Sequence, residues 1–297
     1  MAKKLPHPAC GAVPFRAQRA RFVLTISPKN ATECTLSIPI RTKQRWPMAI
    51  GLPGADSSVL VTSMINGQTL VDLATSLYGR PPAVWGRYFG GWAEYRHLRE
   101  NQLLRANNIR VLPIAQQTNR VSGSFADGSA DAASNAEDVI NTFGAAYLGS
   151  QGGKVLMFLD VEGAPSLSAP YYQGWAQNLV THSQAFSQGA VTLSPCVYAP
   201  QGDNTTWSAL ASACAQGAPC NGAWIARWRS AGGGPLLDFA AGLVDPNVTI
   251  PCNVLLWQYS NDCHGPGGFD CDEINPDPNI QAFVLSQSVL PPETPMA

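Results

Sequence analysis

Charged side chains are scarce in this sequence. Asp, Glu, Lys and Arg make up 13% of the 297 residues, and the formal net charge is −1. A globular domain usually has about 25% charged residues. Nucleic-acid binding needs a basic surface that displaces counterions from phosphates, and no block of like charges runs along the chain. We therefore expect no nucleic-acid partner.

Long hydrophobic runs are missing as well. No apolar stretch approaches the ~20 residues of a membrane-spanning helix. The first residues, MAKKLPHPACGAVPF, contain lysines but no apolar stretch of the kind found in a secretory signal peptide. We expect no membrane span, and any export would use a route without a recognisable signal peptide in this chain.

Common cofactor and nucleophile motifs are also absent. The first strand is not followed by G-x-G-x-x-G, Gly153-Lys154 lacks the spacing of a P-loop, and no G-x-S-x-G occurs. The sequence has only four histidines and no C-x-x-C. A zinc site therefore has little support, and we expect neither a cofactor nor a metal.

Eight cysteines are present, an even number. Two pairs are close enough in sequence to close short loops, and we predict the disulfides Cys263–Cys271 and Cys214–Cys220. The alternative is a set of free thiols in a reducing compartment, because spacing does not prove pairing.

The order of apolar and amphipathic segments predicts three regions. Residues 1–60 are basic and irregular and are interpreted as an N-terminal extension, or alternatively as a targeting or docking segment. Residues 61–290 alternate apolar strands with amphipathic helices, and residues 291–297 form a tail.

Because alternation of this kind produces a parallel sheet with right-handed crossovers, we predict an α/β fold, a (β/α)₈ TIM-type barrel that could be irregular. The predicted strands are Leu70–Ala74, Val84–Phe89, Ile109–Ala115, Val155–Val161, Ala190–Tyr198, Ala223–Trp228 and Val254–Tyr259, with an eighth near Leu236–Val244.

Two acids close the most apolar of these strands. Side chains alternate across a strand, so Asp160 and Glu162 should point the same way as Leu156 and Phe158, into the barrel at its carboxyl end. Mutual repulsion and partial burial should leave one acid protonated and the other ionised. Glycoside hydrolysis requires that division of roles. The alternative is a solvated strand end or an ion pair.

Polar and aromatic side chains cluster at the other strand ends. Sugars present flat apolar faces rimmed by hydroxyls, so aromatic planes next to Arg, Gln and Asp side chains suit them. The candidate sugar-binding residues are Arg87, Tyr88, Tyr198, Trp224, Arg227, Trp257, Gln258, Tyr259 and Asp272.

The order of four motifs resembles the family-25 glycoside hydrolases, which are lysozymes. LMFLDVEG, CVYAP, AWIARW and LLWQYSND are similar to that family's D-x-E, G-x-Y, W-x-A-x-[YW] and W-Q-Y-[ST] strand ends, and the resemblance spans roughly residues 65–285. VWGRYFGG, IRVLPIAQQ and FADGSADAASNAEDV are closer to a related glycoside-hydrolase-like family, first catalogued as a domain of unknown function.

The resemblance implies a role for each acid. Glu162 would be the general acid and Asp160 would stabilise the transition state or orient an acetamido group. The acid of the first strand, which in that family follows a G-[IF]-D-V-S-type pattern, matches Asp72 in LVDLATS, although the glycine is missing. The last acid, after W-Q-Y, would be Asp270 or Asp272.

Three functions are compatible with these features. The first is a retaining, muramidase-type glycosidase, a monomer acting on peptidoglycan or a related amino-sugar glycan outside the cell. The second is a non-catalytic carbohydrate-binding barrel. The third is a metal-dependent hydrolase using Asp160, Glu162, Asp270 and His264, which the shortage of histidines disfavours.

Overall fold

A computed structural model describes residues 49–90, 95–116, 120–162, 165–239 and 250–293 of the chain. The strands are β1 (Leu52–Asp56), β2 (Met64–Ile65), β3 (Gln68–Thr69), β4 (Val84–Phe89), β5 (Arg110–Ala115), β6 (Lys154–Asp160), β7 (Thr192–Pro200), β8 (Ala223–Ala231), β9 (Val254–Cys263) and β10 (Phe269–Ile274). The helices are α1 (Leu70–Tyr78), α2 (His97–Ala106), α3 (Phe125–Phe143), α4 (Ala145–Ser150), α5 (Ala169–Phe186), α6 (Asn204–Ala215) and α7 (Pro278–Ser286).

Eight strands close into a barrel, which confirms the predicted α/β barrel class. Their order around the barrel is β1-β10-β9-β8-β7-β6-β5-β4. Seven of these strands run parallel, whereas β10 is antiparallel to both β1 and β9. The barrel is therefore closed by a hairpin between β9 and β10, and not by an eighth β/α unit.

Two predicted strands were placed wrongly. Leu70–Ala74 is the start of helix α1, because Thr69 caps it and accepts a hydrogen bond from the Asp72 backbone N–H at 3.1 Å. The first strand is instead Leu52–Asp56, which lies inside the segment assigned to the extension. The boundary at residue 61 is thereby corrected, and the rest of that segment, residues 1–48, lies outside the described residues. The eighth strand is β10, while residues 236–239 form no strand and the rest of the expected segment, 240–249, is not described.

The core has two layers, set by the alternation of side chains along each strand. An inner cluster fills the barrel and includes Leu156, Phe158 and Trp224. A larger outer cluster lies between the strands and the helices and includes Met157, Trp175 and Trp257. Because β6 is covered on both faces, its sequence is a continuous apolar run.

The cysteine predictions had mixed outcomes. Cys263 and Cys271 form a disulfide across the β9–β10 hairpin, as predicted. The Cys214–Cys220 prediction is wrong, because both residues are free thiols, and the Sγ atom of Cys220 also lies 3.2 Å from that of Cys252. None of the described helices is long and apolar enough to span a membrane.

Candidate active site

The two acids at the end of β6 face the barrel mouth. Leu156 and Phe158 belong to the inner cluster, so the face of β6 that also carries Asp160 points into the barrel. Asp160 is buried, and its Oδ1 accepts a hydrogen bond from the Glu162 backbone N–H at 3.1 Å. Glu162 follows the strand and is half-buried, and its Oε1 accepts from the Tyr198 hydroxyl at 2.8 Å.

A third acid, Asp56, lies at the carboxyl end of β1 and was missed by the sequence analysis. It is 2% exposed, and Gln258 donates from Nε2 to its Oδ2 at 3.0 Å. The same amide nitrogen donates to Asp270 Oδ2 at 3.0 Å, so one glutamine side chain connects the two carboxylates. Gln258 was predicted to be a site residue, and the structure places it between two acids.

The signal for Asp56 was present in the sequence. Gly54-Ala55-Asp56-Ser57-Ser58 has glycine, acid and serine at the spacing of the G-[IF]-D-V-S-type pattern. Because residues 1–60 were interpreted as an N-terminal extension, Asp56 is not among the predicted site residues. Asp72 is an exposed helix-capping residue on α1, so its placement at the first strand end is wrong.

Two further acids reach the mouth because β10 runs antiparallel. The strand starts at the mouth and pairs Asp270 with Asp56. Asp270 also accepts a hydrogen bond from the Asp262 backbone N–H at 2.7 Å. Asp272 lies deeper, fully buried, and accepts from Trp224 Nε1 at 3.0 Å. Both acids named in advance therefore face the interior, at different depths.

The electrostatics of the mouth favour protonated carboxyls. Burial, together with the charge of Asp160, raises the pKa of Glu162 to about 8, although the Tyr198 hydrogen bond opposes the shift. Burial raises the pKa of Asp270 to about 6. Burial raises the pKa of Asp56 well above its ordinary value, with the charge of Asp270 adding to the effect.

The pKa of Asp272 is also raised, first by burial and then by the charge of Asp56. Tyr88 lies close enough to the acids of the mouth for their charges to act on its hydroxyl. Burial raises the pKa of its hydroxyl, and the charges that raise it further are those of Asp56, Asp160, Glu162 and Asp270. Four carboxylates therefore converge on one end of the barrel.

The floor of the mouth is aromatic. The rings of Tyr198 and Trp224 have centroids 4.9 Å apart, and Phe158 meets the Trp224 ring edge to face at 5.3 Å. Trp224 and Tyr198 are fully buried, so they support the site from below. Gly86 leaves room for Trp224, because a Cβ there would lie 2.7 Å from the Trp224 ring.

One aromatic residue outside the predicted set is exposed at the mouth. Trp228 is 56% exposed and donates from Nε1 to Gln258 Oε1 at 2.7 Å. Its indole is thus held by the amide that also contacts Asp56 and Asp270. The indole of Trp228 is therefore an exposed aromatic plane that is anchored beside the carboxyls of the mouth.

Several predicted binding residues do not present a side chain to the mouth. Arg87 is fully buried in an ion pair with Glu100 at 2.9 Å and also donates to the Ser57 carbonyl oxygen. Its placement at the mouth is wrong because neighbouring Gly86 and Tyr88 occupy the inward positions of β4.

Strand alternation also explains Trp257 and Tyr259. Both belong to the outer cluster, where Trp257 Nε1 donates to the Arg227 carbonyl oxygen at 2.9 Å and the Tyr259 hydroxyl donates to that of Gly234 at 2.9 Å. Their placement at the mouth is wrong, whereas Gln258 between them points inward. Arg227 is half-buried.

Among the described residues, no group of three or more His, Cys, Asp or Glu side chains is arranged to hold a metal ion. His264, one of the ligands in the metal-dependent alternative, packs against Phe269 with ring centroids 5.8 Å apart.

The fold and the site together define an α/β barrel with a carboxylate-rich mouth. No protein-family model matches the chain, and no curated protein sequence matches it. A solved structure of an uncharacterized B. stearothermophilus protein is similar at 21% identity and a TM-score of 0.54, over 80% of this chain and all of that one. This likeness supports the barrel fold alone.

Two lytic enzymes are also found, with lower structural scores. The catalytic domain of endolysin ply40 from bacteriophage P40 of Listeria monocytogenes is 14% identical, with a TM-score of 0.45, over 80% of this chain and 98% of that domain. The Clostridium perfringens spore cortex lytic enzyme SleM is 12% identical, with a TM-score of 0.46, over 77% of this chain and 68% of that one.

Proposed function

We propose that this protein is a glycosidase that cleaves peptidoglycan or a related amino-sugar glycan at the barrel mouth. The observation that carries the proposal is the state of Glu162: a half-buried carboxyl, hydrogen-bonded to Tyr198, whose pKa is raised to about 8 beside Asp160. An acid with that pKa is protonated at neutral pH and can donate its proton to a leaving glycosidic oxygen.

The acids near Glu162 would act on the substrate in two other ways. Asp160 lies two residues before Glu162, and its carboxylate would stabilise the positive charge that develops on the sugar ring. Asp56 and Asp270, which share Gln258, would orient the substrate at the other side of the mouth. Asp56 thereby takes the position of the first-strand acid, which the resemblance had assigned to Asp72.

The stereochemical outcome follows from the spacing of the acids. Asp160 is the last residue of β6 and Glu162 lies two residues further along the chain, a spacing at which their carboxyls should be ~5–7 Å apart. Retaining glycosidases have a separation of about 5–5.5 Å, and inverting ones about 6.5–9.5 Å, to hold a water. Retention of the anomeric configuration is therefore expected.

The choice of glycan rests on the motif order described above, which resembles the family-25 lysozymes. An exposed Trp228 next to carboxylates suits the flat faces and polar rims of amino sugars. A substrate of this class would place the site of action at the cell wall, outside the cytoplasm.

The test uses purified bacterial cell walls, with reducing ends measured with and without a chelator. Glu162→Gln should lose 10²–10⁴-fold in turnover, roughly the contribution of general acid catalysis, while binding to the walls persists. Asp160→Asn and Asp56→Asn should also be severely impaired. Glu137→Gln, a carboxylate on α3 paired with His182, is the matched control and should keep full activity.

Each result distinguishes the proposal from its alternatives. Binding to the walls without turnover by the wild-type protein would favour a carbohydrate-binding barrel. Loss of activity on chelation would favour a metal-dependent hydrolase. NMR of the first-formed anomer tests the stereochemistry, and an inverted product would contradict the roles given to Asp160 and Glu162.

A further inference from the structure

Three cysteines gather at the end of the barrel opposite the mouth. Cys220 precedes β8 and Cys252 precedes β9, and these parallel strands pair Ala223 with Val254 at their starts. Cys214 lies in the last turn of α6. None of the three has a role in the site proposed above.

Two of these thiols are in direct contact. The Sγ atoms of Cys220 and Cys252 are 3.2 Å apart. A disulfide bond is about 2.05 Å long, so the two sulfurs are within about 1.2 Å of bonding distance. Both residues are half-buried, and both are free thiols in this structure.

The third thiol makes the arrangement asymmetric. Contacts with the thiols of Cys214 and Cys252 lower the pKa of the Cys220 thiol, while the contact with Cys220 raises the pKa values of Cys214 and Cys252. Cys220 is therefore the group best able to exist as a thiolate, which is the reactive form in disulfide chemistry.

A cavity next to the pair provides access. Its volume is about 600 Å³, and Cys220 and Cys252 line it together with Asn221, Asn253 and Phe283. That volume falls within the range of small-molecule sites, roughly 300–1,000 Å³. Amides beside a thiol pair can hydrogen-bond to the peptide groups of a small peptide disulfide.

We propose that Cys220 and Cys252 form a thiol–disulfide exchange site for a low-molecular-weight disulfide such as oxidised glutathione. The Cys220 thiolate attacks one sulfur of the disulfide, which forms a mixed disulfide and releases the first small thiolate, and that takes up a proton from solvent. Cys252 then attacks the Cys220 sulfur and transfers its own proton to the second leaving thiolate. The two cysteines are oxidised to a disulfide, and the small disulfide is reduced to two thiols.

The product would join the segments that precede β8 and β9. Because a cross-link of this kind restricts the unfolded chain, the oxidised protein should have a higher Tm than the reduced protein, by roughly 5–15 °C. The mouth residues lie at the other end of the strands, so oxidation is expected to act on stability and not on the chemistry at Glu162.

The experiment starts from the full-length, reduced protein, which is exposed to oxidised glutathione and then mapped by mass spectrometry without reduction. The expected product is a peptide pair linked through Cys220 and Cys252. Cys252→Ser should accumulate glutathione on Cys220, because the resolving thiol is missing. Cys214→Ser is the matched control from the same segment and should still form the Cys220–Cys252 link.

Two results would overturn the proposal. One is Cys220 remaining a free thiol in the folded wild-type protein under these conditions. The other is a Cys214–Cys220 link as the main product. Both are read from the wild-type chain, so the test does not depend on the folding of any variant.

Discussion

The proton on Glu162 depends on neighbours that act in opposite directions. Burial and the charge of Asp160 hold the proton on, while the hydrogen bond from the Tyr198 hydroxyl stabilises the ionised form. With a pKa of about 8, the carboxyl is protonated below that pH and loses its proton above it. Turnover should accordingly fall as the pH rises through about 8, which a pH profile of wall hydrolysis measures.

Replacing Tyr198 by Phe should shift this loss of turnover at alkaline pH to a higher pH. The variant lacks the hydroxyl that donates to Glu162 Oε1, so the carboxylate loses stabilisation and the pKa of Glu162 rises further, by roughly one unit. Tyr171→Phe is the control, since the Tyr171 hydroxyl donates instead to Asp131 at 2.7 Å. If turnover of Tyr198→Phe falls at the same pH as that of the wild type, the ionisation of Glu162 does not determine this pH dependence.

The same shift predicts a pH-dependent stability. The folded-state pKa of Glu162, about 8, exceeds its ordinary value of 4.5, so the folded protein holds a proton that the unfolded chain releases. The free energy of unfolding should therefore fall as the pH rises from about 4.5 through about 8.

Glu162→Gln removes this loss of stability. At pH 9 the variant should unfold with a free energy a few kcal/mol above that of the wild type, while at pH 4 the two should be nearly equal. Urea denaturation at both pH values measures the difference. A variant less stable than the wild type at pH 9 would contradict the buried, protonated state of Glu162.

At the scale of the element, helix α1 illustrates how an acid can be structural. Thr69 and Asp72 form a capping box in which each side chain accepts a hydrogen bond from the other residue's backbone N–H, at 3.1 Å in both directions. Helix α3 has the same device, formed by Ser124 and Asp127. The carboxylate of Asp72 thus satisfies a helix end.

Asp72→Ala should consequently lower the free energy of unfolding by about 1 kcal/mol and leave turnover unchanged. Asp127→Ala in the capping box of α3 is the matched control and should behave in the same way. Chemical denaturation and wall hydrolysis measured on the same samples separate the two effects. A large loss of turnover in Asp72→Ala alone would return this residue to the active site.

At the scale of the whole molecule, β10 closes the barrel. It pairs with β1 on one side and β9 on the other, and it carries Asp270 and Asp272. Without β10, the backbone groups of β1 and β9 would lose their partners and form open sheet edges, which favour aggregation.

Truncation after Asp262 should therefore yield an aggregating protein without turnover, as size-exclusion chromatography and wall hydrolysis would show. Truncation after Glu293 keeps all eight barrel strands and should give a monodisperse, active protein. A soluble, cooperatively folded product of the shorter chain would show that β10 is not required for closure.

The sequence alone determined the features that depend on local pattern. The apolar run before Asp160 defined a strand covered on both faces, and the period of two placed Asp160 above Leu156 and Phe158. The disulfide between Cys263 and Cys271 was predicted from the short loop that it closes, although the same spacing argument failed for Cys214 and Cys220. These features need only the geometry of one strand or one short loop.

The tertiary structure decided everything that depends on which segments meet. Asp56 joins the mouth only because β1 pairs with β4 and β10, a contact between positions far apart in the chain. Arg87 and Trp257 were assigned to the mouth from their positions near strand ends, but strand alternation turns both away from the barrel interior. Local patterns specify an element and its two faces, whereas pairing between distant strands decides which face becomes the site. The thiol contact between Cys220 and Cys252 arises in the same way, from two parallel strands whose starts lie side by side.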